Sequence, residues 1–98
     1  MSYQLEFHPL AKKELSKLDK QAKVFIVQSL AQFIDSYNDT YNDTYEQDMI
    51  RSSKIKKLKG DWKGFYRLRM RSYRVIYEKI DKKLVIYIVR IAHRKEVY

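Results

Sequence analysis

Polar and apolar residues alternate over residues 2–7 (Ser-Tyr-Gln-Leu-Glu-Phe), the period-two pattern of a short strand with one buried face. His8-Pro9 then marks the start of a helix, because proline is tolerated in a first turn that has no amide bond to lose. Leu10, Ala11, Leu15 and Leu18 recur at helical spacing to about Leu18, with Lys12, Lys13 and Lys17 turned outward. A second helix is expected from about Gln21 to Ser36 on the stripe Ala22, Phe25, Ile26, Leu30, Phe33 and Ile34. Only Asp19-Lys20 lies between the two, so they form a helical hairpin.

The pattern then breaks. Tyr37-Asn-Asp-Thr is repeated at once as Tyr41-Asn-Asp-Thr, followed by Tyr45. Asn-Asp-Thr clusters favour turns, whereas the four-residue period continues a helix with a tyrosine stripe at 37, 41 and 45. The expectation is a helix extension that frays into a loop. Residues 54–60 (Lys-Ile-Lys-Lys-Leu-Lys-Gly) read as a basic connector ending in a turn at Gly60-Asp61.

Three strands follow, at about 64–71, 73–80 and 84–91, the last two joined at Asp81-Lys82-Lys83. In the first, Tyr66, Leu68 and Met70 share one face while Arg67, Arg69 and Arg71 share the other. The third is apolar on both faces and should be the most buried. The order β-α-α-β-β-β predicts an α+β sandwich with the helices on one face of an antiparallel sheet. Its other face is then open, and Arg67 and Arg69 point into it.

Ninety-eight residues suffice for one domain with one modest core, and 45% hydrophobic residues with two Gly and one Pro argue for a packed chain. The absence of cysteine excludes disulfides and thiolate zinc sites and fits a cytoplasmic protein. Glu6, Lys12, Lys13 and Glu14 interrupt any signal-peptide pattern, and the longest apolar run, residues 84–89, is too short to span a bilayer.

Charge changes the picture most. Residues 1–50 carry a balance of −3 and residues 51–98 a balance of +12, within a total of +9. That polarity puts a cationic field on one part of the fold and points to nucleic acid first, an acidic protein second and an anionic membrane third. A solvated lysine-rich surface is the plain alternative.

Metal-free RNA cleavage needs a base for the ribose 2′-hydroxyl, cations for the phosphorane and an acid for the leaving 5′-oxygen. Arg67, Arg69 and Arg74 are candidates for the charge, because planar guanidinium forks match phosphate oxygens. His93 is a candidate proton carrier near neutral pH. Tyr98 would act only if nearby arginines stabilise its phenolate. Each residue has a structural alternative: a solvated arginine face, a packing histidine, a tyrosine lying on the sheet. His8 reads as a helix-start residue. Neither metal-ligand spacing nor a glycine-rich phosphate loop is present, since Gly60 and Gly64 cannot build one, so no metal and no cofactor are expected.

Leu58-Lys59-Gly60, Phe65-Tyr66-Arg67-Leu68-Arg69, Tyr73-Arg74-Val75-Ile76-Tyr77 and the closing His93-Arg94-Lys95-Glu96-Val97-Tyr98 together resemble the RelE/ParE superfamily of bacterial toxins. The resemblance covers most of the chain and is most specific over residues 58–98. It implies a single small RelE-like α+β sandwich. It further implies ribosome-dependent cutting of mRNA without a metal, so that translation stops, and a cognate antitoxin that blocks it. By that resemblance Arg67 and Arg69 stand where RelE has strand lysines, and Arg74 where an arginine is held against the scissile phosphate. Tyr98 stands where a tyrosine stacks on, or acts near, the cleaved nucleotide. The match at His93 and Arg94 is looser: one is implied to be the acting arginine, and other members place an acid–base histidine there.

Lys54, Lys56, Lys57, Lys59 and Lys63, with Arg71, would then form a footprint on ribosomal RNA. The sequence departs from RelE in the Tyr-Asn-Asp-Thr repeat, in the short turn at Arg71-Ser72, and in reaching Tyr98 without a C-terminal helix, which would leave the site more open. The acidic repeat is expected to lengthen the hairpin rather than meet the antitoxin. Two other functions compete: a ParE-like inhibitor of DNA gyrase with no chemistry of its own, and a basic module active only as a corepressor with its antitoxin. The cationic face combined with His93 and Tyr98 favours the nuclease.

Overall fold

A computed structural model describes residues 2–39 and 44–93. The expectations for Tyr41, Arg94 and Tyr98 lie outside the described residues.

Strand β1 (Gln4–Phe7) turns its alternate residues Leu5 and Phe7 inward, as its pattern requires. Helix α1 (Pro9–Ser16) begins where expected: the Leu10 amide donates to His8 Nδ1 at 3.0 Å, and Pro9 occupies the first turn. Helix α2 (Lys20–Asn38) is capped by Asp19, whose carboxylate accepts the Ala22 amide at 2.8 Å. Ile26, Leu30 and Phe33 drop into the core from α2. Asn38 and Tyr3 exchange two bonds, Tyr3 N to Oδ1 at 2.8 Å and Nδ2 to Tyr3 O at 2.9 Å, tying the end of α2 to the start of β1.

Two stretches differ from expectation. Instead of fraying into a loop, the chain forms a separate helix α3 (Tyr45–Arg51), with Tyr45, Met49 and Ile50 packed against the core. Its apolar residues are too few for a helical period to show, so tertiary packing supplies what local pattern lacks. The basic connector contains a strand, β2 (Ile55–Lys57), antiparallel to β3 (Phe65–Met70). Three residues with one apolar side chain carry no alternation to detect. Ile55 is nevertheless 1% exposed, and the flanking lysines suit an edge strand that must not pair with other chains.

Strands β3, β4 (Tyr73–Ile80) and β5 (Val85–His93) pair antiparallel, as expected. Between β2 and β3 the turn at Gly60–Trp62 relies on Gly60, whose φ of +66° favours glycine. The sheet order is β1-β5-β4-β3-β2, and β1 lies parallel to β5. The sheet is therefore mixed rather than wholly antiparallel. β5, apolar on both faces, is flanked by β1 and β4, and Ile86 and Ile88 are fully buried. The helices cover the face bearing Leu68, Met70, Val75 and Tyr77. On the other face Ile76 and Ala92 gather Leu58, Trp62, Phe65 and Val89 into a small second cluster.

Beyond Ile88, where its pairing with β1 stops, the edge of β5 is met by α1. Glu14 Oε1 accepts the Ile91 amide at 2.9 Å, and the same carboxylate takes Arg90 Nε and Nη2 at 3.0–3.2 Å. A side chain thus does the work of a missing strand. Glu14→Ala should cost about 1–3 kcal/mol in chemical denaturation, because it strands a strand amide and a half-buried guanidinium. Tyr77 is the converse case: it is 0% exposed and stacked on Tyr66 at 5.2 Å, and its hydroxyl has no hydrogen-bond partner among the described residues. Tyr77→Phe should leave stability unchanged or raise it, and Tyr77→Ala should lower it by about 3–5 kcal/mol in the same measurement.

Candidate nucleic-acid interface

Strand alternation places Arg67 and Arg69 on the face away from the helices, and pairing adds cations beside them. Arg74 stands directly opposite Arg69, and Lys56 opposite Arg67. Side chains in such pairs are about 5 Å apart at Cβ, and like charges there repel. Arg67 is only 7% exposed, and its Nη2 donates to the Ser53 carbonyl at 3.1 Å. Arg74 is half-buried, with a buried Nε that has no hydrogen-bond partner among the described residues. Arg69 is exposed.

These residues shape a cavity of about 470 Å³ lined by Lys56, Lys57, Leu58, Lys59, Trp62, Arg67 and Arg74. A second, of about 450 Å³, shares Lys56, Lys57 and Arg67 with it and adds Arg69, Ser53, Ile50 and Ile55. The two adjoin through these shared residues as a cationic trough that wraps the β2 edge as far as Ile50 of α3, and among the described residues no carboxylate lines it. The chain enters and leaves this wall through fixed turns. The Leu58 amide donates to Phe65 O at 3.0 Å, and Trp62 N to Lys59 O at 3.2 Å.

Lys56, Lys57 and Lys59 thus join Arg67, Arg69 and Arg74, but the other expected residues lie elsewhere. Arg71 does not share their face. It occupies the β3–β4 turn at φ 52°, and its guanidinium lies 4.6 Å from the centre of the Phe25 ring on the helix side. A turn residue escapes strand alternation, and the aromatic ring attracts the cation. Lys54 and Arg71 line a separate cleft of about 580 Å³ between α2, α3 and β3, which Arg69 also reaches. Lys63 is exposed just after the Gly60–Trp62 turn.

His93 is not brought to the trough. It pairs with Tyr73 across β4 and β5, its ring 5.7 Å from that tyrosine, and lines a cleft with Glu14, Lys17 and Leu18 of the helical layer. One residue of sequence decides this: Ala92 belongs to the Arg74 face and His93 to the opposite one. Trp62 is the trough residue that sequence reasoning passed over. The signal was available, since the sole tryptophan sits between Lys59 and Lys63 in a basic turn.

Displaced titrations gather around Glu46, which lines neither cavity of the trough. Burial and the Glu46 carboxylate, which accepts the Tyr37 hydroxyl at 2.9 Å, push the Tyr37 phenol well above its ordinary value. Burial works against the Lys79 ammonium, but Glu46 at 3.1 Å outweighs it and raises its pKa. Among the described residues no group of three or more His, Asp or Glu converges as metal ligands would, and no helix is long and apolar enough to cross a membrane.

The chain is thus a small α+β protein with cations and one indole lining a trough beside β2 and β3. The family model described as the ParE toxin of the type II toxin-antitoxin system parDE matches residues 5–98, and the chain belongs to that toxin family. The individual relatives are named for RelE. A protein of Escherichia coli named as a RelE-like toxin is 30% identical over 95 residues, covering 97% of this chain and 86% of its own length. The mRNA interferase toxin RelE of Escherichia coli K12 is 27% identical over 100 residues, covering 100% and 92%. Archaeal RelE, solved in complex with RelB from Pyrococcus horikoshii, superposes with a TM-score of 0.64 at 27% identity, covering 99% of this chain and 100% of that one. The protein is a RelE-like toxin of a type II toxin–antitoxin system.

The facing guanidinium groups make a prediction separable from activity. Arg69→Gln should raise stability by about 0.2–1 kcal/mol at low salt, because it removes a like-charge pair. Denaturation across a salt series checks this, and the gain should shrink as the Debye length falls.

Proposed function

We propose that this toxin is a ribosome-dependent mRNA endonuclease that cuts by metal-free attack of the ribose 2′-hydroxyl. The observation that carries the reading is the trough: three arginines from β3 and β4 and three lysines from β2 and the turn after it, with no carboxylate among the described residues lining it. Similarity to a protein named mRNA interferase toxin RelE supports it. In the reaction the 2′-oxygen bonds to phosphorus as its proton leaves to a base. The bond from phosphorus to the 5′-oxygen breaks, and an acid protonates that oxygen.

Arg74, which lines the cavity, clamps the scissile phosphate with its guanidinium. Arg67 and Arg69 neutralise the charge that grows on the phosphorane. Lys56, Lys57 and Lys59 follow the backbone of the strand. Because His93 faces the helical layer, this reading gives proton transfer to Tyr98, with Arg94 as a further cation. His93 then serves packing against Tyr73. The target places the protein in the cytoplasm. A cognate acidic antitoxin silences it by covering the +12 half of the chain, as RelB accompanies RelE in the archaeal complex.

Arg74→Ala should lower cleavage about 10²–10³-fold, the range for losing a preorganised charge donor. Tyr98→Phe should lower it about 10²–10⁴-fold, and His93→Ala far less. Both losses should appear with unchanged circular dichroism. Mapping mRNA 5′ ends after induction should find new ends within translated codons. Intact transcripts accompanied by DNA-damage signalling would replace this reading with gyrase inhibition.

A further inference from the structure

We infer that the cavity walled by Trp62, Leu58, Arg67 and Arg74 is a nucleobase subsite, in which one base of single-stranded RNA stacks on the Trp62 indole. The inference deepens the nuclease reading and rests on it for the identity of the polymer. Three observations converge on it.

The first is size and lining. At about 470 Å³ the cavity falls within the usual range of small-molecule sites, about 300–1,000 Å³. A trough that only followed phosphates would need no apolar wall, yet Leu58 and Trp62 supply one inside a ring of cations. Stacking on an indole is open to every base, since each presents a π-face, and it needs no hydrogen-bond code.

The second is that Trp62 is held rather than loose. Its ring meets Phe65 edge-on at 5.5 Å, it packs on the Ile76 and Ala92 cluster, and its amide is bonded to the Lys59 carbonyl. It remains half-buried, neither lost in the core nor free in solvent. A fixed aromatic loses little conformational entropy when a base settles on it.

The third is what lies beside it. Arg74 lines the same cavity with a buried Nε that no described residue accepts from, and Lys56, Lys57 and Lys59 flank the opening. A base seated on Trp62 therefore carries its phosphates onto guanidinium and ammonium groups. The pocket would set where the chain stops relative to Arg74, which makes Trp62 a positioning residue.

Trp62 is the only tryptophan in the chain, so its emission reports this pocket alone. The full-length protein is titrated with a short oligomer of 2′-deoxyadenosine, which has no 2′-hydroxyl to attack, and with an abasic oligomer of equal length and charge. The base-bearing oligomer should quench Trp62 and bind about 10-fold more tightly than the abasic one. Anisotropy of a labelled oligomer should show Trp62→Tyr retaining that preference and Trp62→Leu losing it. Equal affinity for the two oligomers with unchanged emission overturns the subsite. The comparison on the unmodified protein does not depend on either variant folding. Since neither oligomer can be cut by this chemistry, failure here leaves the nuclease reading standing. Intact cellular transcripts, conversely, would overturn the nuclease while leaving the base preference in place.

Discussion

Helices pack on one face of the five-stranded sheet, and that one-sided cover decides where the charged strand residues go. A cation on the helix side of β3 would be buried against Ile26, Leu30 and Phe33, at a desolvation cost no neighbour there offsets. Alternation then forces Arg67 and Arg69 to the other face, and the register of β4 delivers Arg74 beside them. The trough is thus a consequence of the core rather than an addition to it. Arg67 shows how far this goes. Once β2 and the Leu58–Trp62 wall close around it, even a residue on the uncovered face is almost entirely enclosed.

Four carboxylates are occupied away from the trough. Glu14 holds Arg90 and the edge of β5, Glu46 joins Lys79 and Tyr37, Asp81 accepts the Tyr3 hydroxyl at 2.6 Å, and Asp19 caps α2. Each of these carboxylates gains a local structural partner on the helical side or at its rim. None of these four lines the trough, which draws its cations from the half of the chain with a balance of +12. The raised pKa values of Tyr37 and Lys79 mark cohesion around Glu46 rather than chemistry.

What was legible in the sequence follows from the length scale of each signal. The helical hairpin has a long apolar stripe, and β3, β4 and β5 have six or more residues each, enough for a period to repeat. β2 and α3 are too short for that and exist because Ile55, Tyr45 and Met49 find the core. The parallel seat of β1 against β5 is a long-range pairing that no local pattern encodes. Among the candidate residues, the face of Arg67 and Arg69 was readable because alternation fixes it, whereas Arg74 was named from its chemistry and the family resemblance and is brought beside them only by the register of β4. Arg71 was put on the wrong face because a turn ends the alternation, and the face of His93 was not read because it depends on the parity of its pairing in β5. Trp62 was passed over because only the Gly60–Trp62 turn brings it into the cavity that Arg74 lines.

The trough is best understood as charge assembled in advance. Facing Arg69 and Arg74 repel, and enclosing Arg67 costs solvation, so folding alone gives no reason to gather these groups. A polyanion reverses both terms, since each phosphate turns a repulsive pair into a shared fork. The penalty has already been met when the chain folds, and the strands permit little rearrangement of the backbone. Stabilisation of a growing negative charge then needs no reorganisation at the moment of reaction, which is the condition under which fixed cations accelerate chemistry rather than merely bind. A flexible lysine-rich tail of equal charge would attract RNA as strongly from a distance but would have to order itself around each phosphate. The sheet removes that step, which is what the proposed nuclease requires of a site that acts on a phosphate rather than only holding one.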